Sequence, residues 1–108
     1  MQRYEAVSGA TVGASQIWMG ESVLVPGSVS GAHHHGDSET GIYVRSGHPS
    51  FVFLKEGQEV RLDASPGDYV FVPKFVAHRE ENHSLDEPAV VILARSTQEA
   101  IVVNVEHL

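Results

Sequence analysis

Gly31-Ala32-His33-His34-His35-Gly36-Asp37-Ser38-Glu39, answered some forty residues later by Pro73-Lys74-Phe75-Val76-Ala77-His78, is the part of the sequence on which the fold turns. Together the two stretches offer three imidazoles and a carboxylate from separated segments, a donor set that suits a first-row transition metal. In an extended strand, residues i and i+2 share a face and lie roughly 6.5–7 Å apart. Read as a strand, Gly31 to His35 turns His33 and His35 to one side and His34 to the other. Two imidazoles on one face can lean onto a single ion at about 2.0–2.1 Å. Glu39 keeps the same parity only if Gly36-Asp37-Ser38 neither bulges nor turns.

Outward from these stretches the chain is a series of short apolar or alternating segments separated by Gly, Pro, Ser and Asp, the pattern of an all-β sandwich or barrel. Candidate strands are Ser15 to Met19, Ser22 to Val25, Gly31 to His35, Gly41 to Arg45, Ser50 to Lys55, Glu59 to Asp63, Tyr69 to Pro73, Ala77 to Glu80, Ala89 to Arg95 and Ala100 to Val105. No helical period is sustained, and Thr97 to Ala100 reads at most as a turn. With no repeat or linker, residues 1–108 read as one domain. Pro66-Gly67 suits the central positions of a type II turn, because the second of these needs φ > 0. Lys55-Glu56-Gly57-Gln58 has the length and the glycine of a hairpin loop, so its flanking strands are expected to pair antiparallel. The interior is expected to be apolar, drawn from Phe51, Phe53, Val70, Val72, Ile92 and Trp18.

Seven basic residues against fourteen acidic ones give a formal charge of −7. A surface of that sign repels phosphate backbones and anionic lipid, so neither nucleic acid nor membrane is expected as a partner. There are no cysteines, which excludes a disulfide scaffold and thiolate-bound metal. The start, Met1 to Glu5, has no apolar core of a signal peptide, and the longest apolar run, Ala89 to Ala94, is too short to span a bilayer. A soluble cytoplasmic protein is the expectation.

The two stretches resemble the paired motifs of the cupin superfamily, with a motif-bearing core over about residues 20–95. Gly27, His33, His35 and Glu39 match the first motif, a glycine, five residues, His-x-His and a glutamate. Gly47 matches its closing glycine, one residue further from Glu39 than the motif's spacing. Counted back from Gly47, the carboxylate slot falls on Thr40, so the motif admits either Glu39 or a three-histidine site. Gly67, Pro73, His78 and Asn82 match the second motif, with Phe75 in place of its central glycine. The resemblance implies a cupin-type antiparallel β-barrel, a double-stranded β-helix of jelly-roll form, and His33, His35, Glu39 and His78 as ligands of one divalent transition metal ion.

Three imidazoles and a carboxylate disfavour magnesium and calcium, and the lack of sulfur argues against a blue-copper site, leaving Mn, Fe, Ni, Co or Zn. Four ligands on an octahedral ion leave two positions for water, dioxygen or substrate. The expected function is that of a metal-dependent enzyme acting on a small organic molecule, with dioxygenase, isomerase and lyase chemistry all open. The alternative is a non-catalytic module that binds or senses a small molecule. No nucleophile elbow, proton-transfer partner or phosphate-cradling loop is evident. His34, His48, His83 and His107 read as surface residues, Asn82 as a turn or capping residue, and Tyr43, Arg45 and Arg79 as solvent-facing. The apolar strand Ala100 to Val105 and the segment around Ile17 and Trp18 would be poor exposed edges, so a homodimer is expected.

Overall fold

Every second side chain is buried along Trp18–Leu24, Thr40–Ser46 and Ala89–Arg95, the period-two signature of a sheet with one face on a core. The computed structural model describes residues 2–108, with Met1 outside them. In chain order the elements are β1 (Gln2–Val7), α1 (Gly9–Val12), β2 (Trp18–Leu24), β3 (His33–His34), β4 (Thr40–Ser46), β5 (Ser50–Lys55), β6 (Gln58–Asp63), β7 (Tyr69–Val72), β8 (His78–Glu81), β9 (Ala89–Arg95) and β10 (Val103–Asn104). Two five-stranded sheets result, one in the order β1-β2-β9-β4-β7 and the other β10-β3-β8-β5-β6. The strand pairs are antiparallel.

Turn chemistry sets the registers. At the tip of the β5–β6 hairpin Glu56 and Gly57 both have positive φ, and Lys55 pairs with Gln58, the geometry of a type I′ turn whose twist matches that of the strands. Gly67 takes φ +95° and Asp68 N–H donates to the Ser65 carbonyl at 3.0 Å, which is the expected type II turn launching β7.

The expected strands Ser15 to Met19 and Ser22 to Val25 are a single strand, β2. Gly20 does not break it. A Cβ at this position would sit 2.7 Å from the Trp18 ring and closer still to the Tyr4 carbonyl, so the glycine allows β1 and the indole to approach the strand. β1 and the single turn α1 are further additions. Ser8 caps α1, its hydroxyl accepting from Thr11 N–H.

The core lies between the sheets and includes Trp18, Leu24, Ile42, Val44, Phe51, Val72, Val91 and Leu93. Ile92, expected inside, is on the outer face of β9, because β9 turns Ala89, Val91, Leu93 and Arg95 inward. Phe53 and Val70 are half-buried. Asn82 is fully buried, its amide donating to the carbonyls of Leu24 and Glu87 at 3.0 and 2.9 Å, so it ties the end of β2 to the loop after β8. On the outer surface Tyr43 packs against Tyr69 and Arg45 pairs with Glu21, while the half-buried Arg79 pairs with the exposed Glu59 and the buried Glu81. Among the described residues no helix is long and apolar enough to cross a membrane.

Candidate metal centre

His33 lies directly opposite His78 in the β3–β8 pairing. His35 follows two residues after His33, and Glu80 follows two after His78 on the same face of β8. One ligand atom from each of His33, His35, His78 and Glu80 lies within 4.8 Å of the others. The three imidazole centroids are 4.6–5.2 Å apart, close enough to share an ion.

Each ring is oriented by the backbone. Nδ1 of His33 is 2.8 Å from the Gly31 carbonyl, Nδ1 of His35 is 2.8 Å from the Ile101 carbonyl, and Nδ1 of His78 is 3.1 Å from the Val76 carbonyl. A carbonyl only accepts, so each Nδ1 carries the proton and each Nε2 lone pair is left free. This is the tautomer that a backbone partner imposes on a metal-ligating histidine. Nε2 of His78 is buried and has no hydrogen-bond partner among the described residues; its nearest acid, Glu80 Oε1, is 3.5 Å away. A buried polar atom without a partner is costly, and a metal ion at the common focus would supply the missing interaction. The donor set of nitrogens and one carboxylate oxygen fits a divalent transition ion.

Electrostatics couple the four groups. Burial lowers the His35 pKa, only partly offset by the Ile101 carbonyl, while His78 and His33 add to the lowering. Burial also opposes charge on His78, but the Glu80 carboxylate and the Val76 carbonyl outweigh it, and the pKa is raised. For Glu80, burial is outweighed by His78 first, then by His33 and His35, which hold the carboxyl below its usual range.

Glu39, expected as the fourth ligand, is not in this group. Ser38 N–H donates to the His35 carbonyl and Gly36 has φ +57°, so the chain turns between His35 and Glu39 and the strand parity is broken. Glu39 is exposed, whereas its neighbours Ser38 and Thr40 are buried. Thr40, the residue picked out by counting back from Gly47, faces the interior. The carboxylate that lies beside the three histidines is Glu80, and its signal was present as His78-x-Glu80, the same i, i+2 spacing used for the histidine pair. His34 points elsewhere, its ring 6.1 Å from that of Phe75. His48, His83 and His107 are exposed. Phe75, where the motif has glycine, adopts φ +62°, so the turn keeps its left-handed geometry despite the side chain.

Two cavities flank the group. An apolar chamber of about 350 Å³ is lined by Phe51, Phe53, Val70, Val72, Val76 and His78, together with Lys55. A smaller void of about 20 Å³ is lined largely by core side chains, among them Leu24, Ile42 and Leu93, and is also reached by His35, Glu80 and Arg95.

Comparison with known proteins agrees with this architecture. Oxalate decarboxylase from Bacillus subtilis superposes with a TM-score of 0.80 at 25% identity over 95% of this chain and 27% of its own. An oxalate oxidase in complex with glycolate gives 0.79 at 15% identity over 95% of this chain and 54% of its own. An uncharacterised double-stranded β-helix protein from Klebsiella pneumoniae gives 0.73 at 17% identity over 97% and 84%. The chain thus spans only about a quarter to a half of these two oxalate enzymes. No curated protein sequence matches it. The profile of the cupin domain family matches residues 20–95, and the chain belongs to that family.

Proposed function

We propose that this cupin binds one divalent transition metal ion through His33, His35, His78 and Glu80 and acts as a metal-dependent enzyme on a small organic molecule. The observation that carries the reading is the shared tautomer: three backbone carbonyls fix three Nδ1 protons, and the freed Nε2 atoms meet beside a carboxylate. A bound ion supplies Lewis-acid polarisation or oxygen activation at its open positions. The protein contributes ring orientation, a carboxylate that balances charge, and an apolar chamber against His78 with room for the body of a substrate. The kinship with oxalate enzymes leaves the reaction class open among oxidation, isomerisation and lysis.

The test is elemental analysis of protein purified without a nickel column, repeated on His33→Ala and His78→Ala, followed by turnover assays with and without chelator. One equivalent of metal lost in both variants, with activity that disappears on chelation and returns with one metal, supports the reading. Metal retained in both variants contradicts it. A second reading, a non-catalytic small-molecule-binding module, is favoured by the chamber lining, in which His78 and Lys55 are the only ionisable side chains. Ligand binding without turnover would establish it. We also propose a homodimer, paired through the edge strand β10, where Val102 and Val103 are exposed. Trp18, turned into the core, takes no part in such an edge.

A further inference from the structure

The chamber of about 350 Å³ has Phe51, Phe53, Val70 and Val72 in its lining, with His78 among them. Ligand pockets generally run from about 300 to 1,000 Å³ and are lined mostly by apolar side chains, and the chamber meets both conditions. A closed apolar cavity of roughly 150 Å³ already holds benzene, so there is room here for a ring and its substituents. Phe71 and Leu54, which also line the chamber, are 61% and 41% exposed. They carry the apolar lining out to solvent and give a ligand a way in.

Charge in the lining decides what kind of molecule can enter. His78 has Nδ1 against the Val76 carbonyl and Nε2 in the ligand cluster beside Glu80, so neither nitrogen is free for a charge lying in the chamber. Lys55, the other ionisable residue of the lining, is exposed, and a lysine so placed keeps its ammonium in water. Among the described residues the lining has no hydroxyl or amide side chain. A carboxylate moved from water into such surroundings would lose its hydration with nothing to replace it. A compact dianion therefore gains nothing from the chamber, whereas an aromatic ring gains burial of its apolar surface and edge or offset contacts with the phenylalanines.

From this we infer that the substrate is an aromatic compound with one polar end, its ring held in the chamber and its polar end at the metal centre beside His78, the one residue common to the chamber and the ligand cluster. Such a molecule differs in size and charge from the oxalate named for the two structurally similar enzymes. The inference deepens the proposed function by naming its substrate class, and it rests on that reading for the polar end alone. Phe53, Val70 and Phe71 act as specificity residues that hold the ring by contact. No bond is made or broken by them.

Acetohydroxamate and benzohydroxamate carry the same metal-binding head, and only the second carries a ring. Both are titrated calorimetrically into zinc-loaded protein, with metal content measured on the same sample, for wild type and for Val70→Phe, which fills the chamber from its wall. The expected result is benzohydroxamate bound at least about tenfold more tightly than acetohydroxamate. In Val70→Phe that preference should fall to about threefold or less while acetohydroxamate binds as before. If Val70→Phe fails to fold, as judged by circular dichroism, Phe71→Ala at the exposed rim carries the test and should cut the preference at least about threefold. A loaded protein that binds neither compound, binds both equally, or keeps its preference undiminished in the folded variant overturns the inference. Should the protein take up no metal, the metal reading fails by itself, and the same pair of titrations on the metal-free chain, followed by NMR, still decides the chamber: saturable shifts that need the ring and are lost on substitution support it, and their absence overturns it.

Discussion

Three histidines and one glutamate behave as a unit because each imidazole has one nitrogen committed to the backbone and the other left for the centre. In the metal-free protein the His78–Glu80 pair gives folding a definite pH dependence. The raised pKa of His78 contributes stability that is complete below the ordinary value of 6.5 and is lost as pH rises through its higher folded value. The lowered pKa of Glu80 contributes stability that is present above the ordinary value of 4.5 and is lost as pH falls through its folded value. Urea denaturation from acid to mildly alkaline pH should therefore show the stability difference between wild type and Glu80→Gln largest between those limits and shrinking on both sides; a difference that grows above neutrality contradicts the coupling. His35 works in the opposite sense to His78, since its lowered pKa makes stability fall as pH drops through 6.5, and the difference between the two proteins reports the whole coupling of Glu80 to the histidines, led by His78. At this scale the clustering of His33, His35 and His78 was legible from spacing and motif, whereas Glu39 lies outside the cluster because a tight turn at Gly36 to Ser38 breaks the parity on which a spacing argument depends.

Strands were legible where alternation and turn residues agreed, and illegible where hydrogen bonding alone makes the element. β1, Gln2–Val7, is almost wholly exposed and so carries no alternating pattern; it exists because β2 offers it a partner. Gly20, which falls between two strands expected as separate, is a point of close approach. Gly20→Ala should therefore destabilise the fold by about 1–3 kcal/mol through overpacking, read by urea denaturation. A neutral effect would mean that β1 does not press on this strand. Asn82 belongs to the same scale, since its amide joins elements and stands apart from the metal group. Asn82→Ala leaves buried carbonyls of Leu24 and Glu87 without a donor and should cost about 1–3 kcal/mol while the protein retains its metal stoichiometry. Loss of metal without loss of stability would place Asn82 in the centre instead.

Taken whole, the molecule is two sheets packed on an apolar core, and among the described residues the one His/Glu cluster is carried by β3, the residue that follows it and the adjacent β8. The cupin architecture was legible because two motifs and several turns pointed to the same barrel. The buried arginine was not, since a charged side chain at the end of an apolar strand ordinarily marks the surface. Light scattering coupled to size exclusion should return twice the chain mass for the proposed homodimer, and the mass of a single chain would contradict it. The most direct test of the central claim is a calorimetric metal titration of wild type beside Glu80→Gln and Glu39→Gln. One site per chain is expected, with an affinity reduced at least about tenfold by Glu80→Gln and unchanged by Glu39→Gln; a loss confined to Glu39→Gln would contradict the Glu80 assignment.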